Sequence, residues 1–179
     1  MSNKFLYFAY GSNLLDKRIH INNPTAQRQD IGRIENFRLD FMRFSNRWKG
    51  ASATIVPTPG AHVWGAIWEI GIENLKDLDQ QEGVNDGLYF PLDVDVANLV
   101  GKKYRCRVYQ QCNNPKENID LSHLPKERQP SLVYLSTMIK GAEQSNIPSD
   151  YINKLKLIKH NNYFGQVDIG LELNDINTE

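Results

Sequence analysis

Residues 5–14 read FLYFAYGSNL, an unbroken apolar and aromatic run that ends in Gly-Ser-Asn. A short apolar run bounded by turn residues is typical of a buried β-strand. Glycine, serine and asparagine favour turns, and a glycine lets backbone approach a ligand closely. We therefore predict a buried strand over residues 5–10, followed by a turn and a helix. The turn would present backbone N–H groups to an oxyanion or a carboxylate.

The turn at residues 11–13 does not match the common phosphate or nucleophile motifs. It is neither a Walker loop nor GxGxxG, because the required lysine and glycine spacings are missing. Ser12 is not surrounded by a GxSxG elbow, which argues against a serine nucleophile. Spacing alone leaves an ordinary strand-to-helix turn as an alternative, since short turns containing glycine are common. A binding role therefore requires a partner group elsewhere in the chain.

The bulk composition is that of an ordinary globular protein. The chain has 179 residues, of which 40% are hydrophobic and 23% charged, so we expect one domain over residues 1–179. Lys+Arg and Asp+Glu are both 21, and a net charge of zero argues against nucleic acid as a partner. No apolar run approaches the roughly 20 residues of a membrane span, and the start does not resemble a signal peptide. We expect a cytoplasmic protein that does not bind membranes.

Hydrophobic patterning gives the order of the elements. Alternation predicts strands at residues 32–44 and 62–70, and a further strand at 51–60 ends in a Pro-Gly turn. Residues 72–83 have helical spacing with Gly83 as the C-terminal cap. Two strands follow at 88–99 and 102–112, then a loop at 113–129, then helices from residue 131 and from Ser149, which we expect to be an N-cap. This order predicts an α+β domain in which a curved or closed sheet carries helices outside it.

Glu82 is the strongest candidate partner for the turn. On a helix that starts near Asn74, residues 75, 78 and 82 share a face, so Glu82 lies on the apolar stripe of Leu75 and Leu78. Burial and the negative end of the helix dipole both favour the neutral acid. We therefore predict a raised pKa, which suits a carboxylate that takes and returns a proton. The alternative is a frayed last turn with Glu82 in water.

The sequence offers no metal site. Counting from Asp77 as the first position of a calcium loop, the required glycine is Glu82 and the required glutamate is Leu88. There is no HExxH motif, and the four histidines are scattered. Cys106 and Cys112 form no CxxC pair, and we expect two reduced thiols. We expect neither a metal nor a cofactor.

The segments YFAYGSNL and LDQQEGV together resemble the γ-glutamylcyclotransferase-like, or AIG2-like, superfamily and its γ-glutamylcyclotransferases. The resemblance extends over nearly the whole chain, through ASATIVPTPG, VWGAIWEI, LDQQEGVNDGLYF, NIPSDYINKLKLI and NNYFGQV. It implies a small mixed β-barrel with flanking helices, and members that are often homodimers. It also implies an enzyme that converts γ-L-glutamyl-amino acids to 5-oxoproline and a free amino acid.

The resemblance assigns roles to particular residues. Glu82 corresponds to the general acid/base of the family. The substrate-binding loop corresponds to Tyr7, Phe8, Ala9, Tyr10, Gly11 and Ser12, with Asn13 following, and a further substrate tyrosine corresponds to Tyr134. The implied substrate is a γ-glutamyl dipeptide that carries its own nucleophile, so no enzyme nucleophile is needed.

Branches of the superfamily differ at the loop. Glutathione-specific relatives resemble YGSL, and the γ-glutamylamine branch prefers threonine at the serine position, whereas this chain has Ser12 followed by Asn13. This pattern favours free γ-glutamyl amino acids. The alternatives are a glutathione- or γ-glutamylamine-specific cyclotransferase, and a non-catalytic binding module on the same fold.

Overall fold

The computed structural model describes residues 3–176, in which five strands close into a barrel in the order β1-β3-β2-β4-β5. β1 and β5 run parallel, with Tyr7 opposite Arg107, and the other neighbours are antiparallel. The strands are β1 (Lys4–Ala9), β2 (Gln27–Ser45), β3 (Gly50–Gly71), β4 (Tyr89–Ala97) and β5 (Lys103–Gln111). The helices are α1 (Asp16–Asn22), α2 (Leu75–Gln81), α3 (Leu132–Gln144) and α4 (Ser149–Lys156). The α+β class with a mixed barrel and flanking helices is confirmed.

The Pro-Gly stretch does not end a strand, and that prediction was wrong. β3 continues through it, with Phe37 of β2 opposite Pro57 and Glu35 opposite His62. Residues 58–61 therefore bulge out opposite Asn36. The Asn36 side chain accepts a hydrogen bond from the Gly60 N–H at 3.0 Å, and Gly60 has a φ of +81° that glycine adopts easily. The turn residues thus bend a continuous strand.

Asp40 alternates along β2 with the apolar Leu39 and Phe41, a position typical of the polar face, but its side chain is completely buried. Its carboxylate accepts hydrogen bonds from Arg38 at 2.9 Å and from Arg128 at 2.5 Å. The two guanidinium groups also donate to the carbonyls of Pro115 (2.9 Å) and Glu117 (3.3 Å). The segment predicted as a loop at 113–129 is therefore fastened over this face of the barrel.

Helix α2 forms as the spacing predicts, after a 3-10 turn at Ile72–Asn74. Leu78 is completely buried and Glu82 is the C-cap residue. The Glu82 N–H donates to the Leu78 carbonyl at 3.0 Å, and Gly83 follows with a φ of +65°. The last turn is therefore intact rather than frayed.

Helix α3 packs on the turn that follows β1. Its N-cap, Ser131, accepts a hydrogen bond from the Tyr134 N–H at 3.1 Å. A Cβ at Gly141 would lie 2.3 Å from the Leu15 nitrogen, so the close approach requires glycine. The N-cap predicted for α4 was wrong by one residue, because Pro148 occupies that position. Within residues 3–176, no helix has the length and apolar character needed to cross a bilayer.

Candidate active site

The turn at residues 11–13 connects β1 to α1 through a 3-10 turn, Ser12–Leu14. Its hydrogen bonds use the carbonyls of Gly11 and Ser12, which accept from the N–H groups of Leu14 (3.1 Å) and Leu15 (3.2 Å). Among residues 3–176, the N–H groups of Gly11 and Ser12 have no acceptor. Two backbone donors are therefore available to a ligand.

Asn13 fixes the turn to three other elements. Its amide donates to the Tyr7 hydroxyl at 3.1 Å and accepts from Gln81 of α2 at 3.2 Å. Its carbonyl accepts from the indole of Trp68 of β3 at 3.0 Å. Asn13 is buried, so these bonds are shielded from water. They hold the turn beside the end of α2, where Glu82 lies.

A small cavity of about 50 Å³, here the inner cavity, lies between the turn and Glu82. Most of the predicted site residues line it. Phe8 and Ala9 are fully buried in β1 and do not line it, although the sequence grouped them with the loop. The lining residues are Tyr7, Tyr10, Gly11, Ser12, Asn13, Ala53, Glu82, Tyr89, Tyr109 and Tyr134.

Glu82 is half-buried at this junction, and its pKa is raised from 4.5 to about 7. Loss of hydration is the main cause, the negative charge of Asp79 adds to it, and the positive charge of Arg18 opposes it. Among the described residues no basic side chain forms an ion pair with Glu82. The carboxyl group therefore titrates near neutrality, as the sequence predicts.

Sequence reasoning missed Tyr89 and Tyr109, which come from β4 and β5. The Tyr89 hydroxyl donates to the Ala53 carbonyl at 2.8 Å and accepts from Gln111 at 3.0 Å, and burial raises its pKa to about 12. The Tyr109 hydroxyl donates to Asp79, and burial raises its pKa well above the usual range. Both phenols stay protonated at neutral pH. An aromatic residue on a strand normally fills a core, so the sequence carries no signal that these two tyrosines line a cavity.

The last turn of α2 is clamped to β5 through Asp79. Arg107 donates to both Asp79 oxygens, at 2.8 and 3.1 Å. The same guanidinium donates to the Tyr109 hydroxyl at 2.9 Å. A bidentate pair of this kind fixes orientation as well as distance. The clamp therefore positions the backbone that carries Glu82.

A wider groove of about 840 Å³, here the outer groove, adjoins the inner cavity. Ser12, Glu82, Tyr89 and Tyr134 line both spaces. Cationic and aromatic side chains add to the walls of the groove, namely Arg18, Arg43, Arg47 and Trp48. Within the described part of the chain, no cluster of three or more His, Cys, Asp or Glu side chains could hold a metal ion.

The chain is similar in sequence to a known protein family and to known enzymes. The model of the AIG2-like family matches residues 62–155, a range that includes Glu82. The γ-glutamylcyclotransferase of Bos taurus is 41% identical over 172 residues, which are 94% of this chain and 86% of the relative. That of Homo sapiens is 40% identical with the same coverage.

Solved structures agree with the sequence comparison. A structure of a γ-glutamyl cyclotransferase superimposes with a TM-score of 0.83 at 39% identity and covers 97% of both chains. A glutathione-specific cyclotransferase from yeast superimposes with a TM-score of 0.57 at 14% identity, which shows a shared fold alone. The chain therefore belongs to the AIG2-like family.

Proposed function

We propose that this protein is a γ-glutamylcyclotransferase that converts γ-L-glutamyl-amino acids to 5-oxoproline and a free amino acid. One observation carries the proposal: Glu82, with a pKa of about 7, lines the inner cavity together with Gly11 and Ser12, whose N–H groups have no acceptor among residues 3–176. The similarity to γ-glutamylcyclotransferases over 94% of the chain supports it.

The reaction needs positioning and proton transfer rather than an enzyme nucleophile. The α-amine of the γ-glutamyl group attacks the γ-carbonyl carbon and forms the C–N bond of a five-membered lactam. The C–N bond to the leaving amino acid then breaks, and one proton passes from the attacking nitrogen to the leaving nitrogen. The enzyme has to hold the bent substrate, stabilise the oxyanion and move that proton.

Glu82 suits the proton transfer. Because its pKa is about 7, both the carboxylate and the acid are populated at neutral pH. The carboxylate takes the proton from the attacking amine, and the resulting acid gives it to the leaving amine. The clamp between Asp79 and Arg107 keeps the end of α2 in place during both steps.

The 11–13 turn suits the oxyanion. The N–H groups of Gly11 and Ser12 are free to donate, and Asn13 fixes their position. The Tyr134 hydroxyl accepts the Ala53 N–H at 3.1 Å, which leaves its own proton available to the substrate. Burial raises the pKa of Tyr134, so this hydroxyl remains a donor at neutral pH.

The test is to incubate the purified protein separately with γ-glutamyl-alanine, glutathione and Nε-(γ-glutamyl)-lysine, and to quantify 5-oxoproline by chromatography. We expect release from the dipeptide, weak or no release from the other two, and a loss of roughly a hundredfold or more in Glu82→Gln. Glu73→Gln, an exposed glutamate preceding the same helix, is the matched control. A lack of 5-oxoproline from all three compounds would favour a binding module instead.

Two further properties are proposed, namely a cytoplasmic location and, from the family resemblance, a homodimer. Both thiols, Cys106 and Cys112, are free, which suits a reducing compartment. Cell fractionation tests the location. Sedimentation velocity at several protein concentrations tests the dimer, and a single monomeric species would contradict it.

A further inference from the structure

Arg18, in the first turn of α1, is a buried cation that forms no ion pair within residues 3–176, although the Trp48 ring and the Glu82 carboxyl group lie near enough to interact with it. Only 7% of the residue is exposed, and its Nε atom is fully buried with no hydrogen-bond acceptor. Among residues 3–176 no carboxylate forms an ion pair with it. Burying an unpaired guanidinium costs free energy, so a ligand that supplies the missing anion would be stabilised strongly.

The groove determines which ligand can reach this cation. Arg18 lines the outer groove together with Ser12, Glu82 and Tyr134, but it does not line the inner cavity. Its guanidinium lies 6.0 Å from the centre of the Trp48 ring, which forms part of the same wall. A ligand that extends past Glu82 into the outer groove would therefore meet Arg18.

We propose that Arg18 binds the α-carboxylate of the leaving amino acid and thereby selects γ-glutamyl dipeptides with a free carboxylate directly after the γ-linked residue. The inference rests on the proposed function, in which the inner cavity holds the γ-glutamyl group. Glu82 lines both spaces and delivers a proton to the leaving nitrogen, so the leaving residue lies in the outer groove. The nitrogen of the leaving residue is an uncharged amide in the substrate. When the side chain of that residue is also uncharged, the α-carboxylate is its one charged group.

The other cations of the groove are less suited to this task. Arg43 and Arg47 also line it, but both are exposed, so water weakens their attraction for an anion. Asp77 and Asp86 also line the groove, and their negative charges would repel a carboxylate. The buried guanidinium of Arg18 offers a planar fork that matches a carboxylate with two hydrogen bonds.

The test compares γ-glutamyl-alanine with γ-glutamyl-alaninamide, which differ only in the carboxylate. The kcat/KM of each is measured in the wild type, Arg18→Met and Arg18→Lys across a pH series, and the high-pH plateaus are compared. The plateau is required because Arg18 lowers the pKa of Glu82, and its removal would shift the acid limb for both substrates. Arg28→Met is the matched control, since Arg28 also has a buried, unpaired Nε but lines neither space.

We expect the kcat/KM of the wild type to be about 100-fold higher for the acid than for the amide. In Arg18→Met most of that preference should be lost, because kcat/KM falls for the acid and stays unchanged for the amide. Arg18→Lys should retain part of it, and Arg28→Met all of it. Equal turnover of acid and amide by the wild type, or an equal loss for both in Arg18→Met, would overturn the inference. If Arg18→Met does not fold, the acid-to-amide ratios of kcat/KM in the wild type and in Arg18→Lys test the inference instead. No 5-oxoproline from either substrate would overturn the proposed function as well.

Discussion

Asp79 and Glu82 lie about one helical turn apart at the end of α2, yet within residues 3–176 only Asp79 of the two has an ion pair. Arg107 holds the Asp79 carboxylate at 2.8 and 3.1 Å, whereas Glu82 faces the inner cavity. The charge of Asp79 contributes to the raised pKa of Glu82. One carboxylate therefore anchors the helix, and the other is left free to titrate.

This relationship predicts the effect of Asp79→Asn on the pH profile. The substitution removes a negative charge that raises the pKa of Glu82 and leaves the Arg107 cation unpaired. Both changes favour the Glu82 carboxylate, so we expect the acid limb of kcat/KM to move from about pH 7 to lower pH. The measurement is the rate of 5-oxoproline release against pH. Asp95→Asn, at an exposed ion pair, serves as the control, and an upward shift in Asp79→Asn would contradict the prediction.

Glu82→Gln should stabilise the folded protein at high pH. The folded-state pKa of Glu82 is raised from 4.5 to about 7, so between these values the folded protein holds a proton that the unfolded chain releases. Stability from this group is present below pH 4.5 and is lost as pH rises through 7. We expect Glu82→Gln to raise the free energy of unfolding by about 2 kcal/mol at pH 8, a value discounted for solvent access.

Urea unfolding at pH 4.5 and at pH 8 checks this pH dependence. The gain should be present at the higher pH and absent at the lower one, while Glu73→Gln should change little at either. A variant that is less stable than the wild type at high pH would show that the Glu82 carboxylate is well solvated or paired.

Gly141→Ala should damage the fold at the contact between α3 and the turn. A Cβ there would lie 2.3 Å from the Leu15 nitrogen and 2.4 Å from the Leu14 carbonyl carbon, and backbone atoms cannot move aside cheaply. We expect a loss of about 3 kcal/mol in the free energy of unfolding, measured by urea titration. Wild-type stability would mean that the helix can retreat from the turn without cost.

Gly11→Ala should affect activity more than stability. A Cβ there would lie 3.2 Å from the Tyr134 hydroxyl and 3.6 Å from the Ala53 Cβ, a crowded but tolerable position. We expect a folded protein in which the Tyr134 hydroxyl is displaced and kcat/KM falls about tenfold or more. Steady-state kinetics beside a thermal unfolding curve separates the two effects. Unchanged kinetics would place the substrate away from this turn.

Arg128→Met should loosen the 113–129 segment. Arg128 and Arg38 share the completely buried Asp40, and removing one cation leaves a buried charge undercompensated. We expect a loss of about 3 kcal/mol in stability and faster amide exchange in this segment. Arg105→Met, at an ion pair whose side chains are more than half exposed, should cost far less. Equal effects in the two variants would contradict the burial argument.

The sequence by itself determined the features that depend on neighbouring residues. The run at residues 5–10 gave β1, and the spacing of Leu78 and Glu82 gave both α2 and the raised pKa of Glu82. These predictions succeed because residues two apart in a strand, and residues three or four apart in a helix, lie on a common face. The resemblance of YGSN and QQEGV then indicated the family, which the comparisons confirm.

Only the tertiary structure decided the features that depend on distant partners. The Pro-Gly stretch became a bulge because β2 continues to pair on both sides of it, and Asp40 is buried because Arg128 covers it. Arg18 and Tyr109 reach the site from α1 and β5, which barrel closure brings together. No local period encodes such contacts, since they form between residues far apart in the chain.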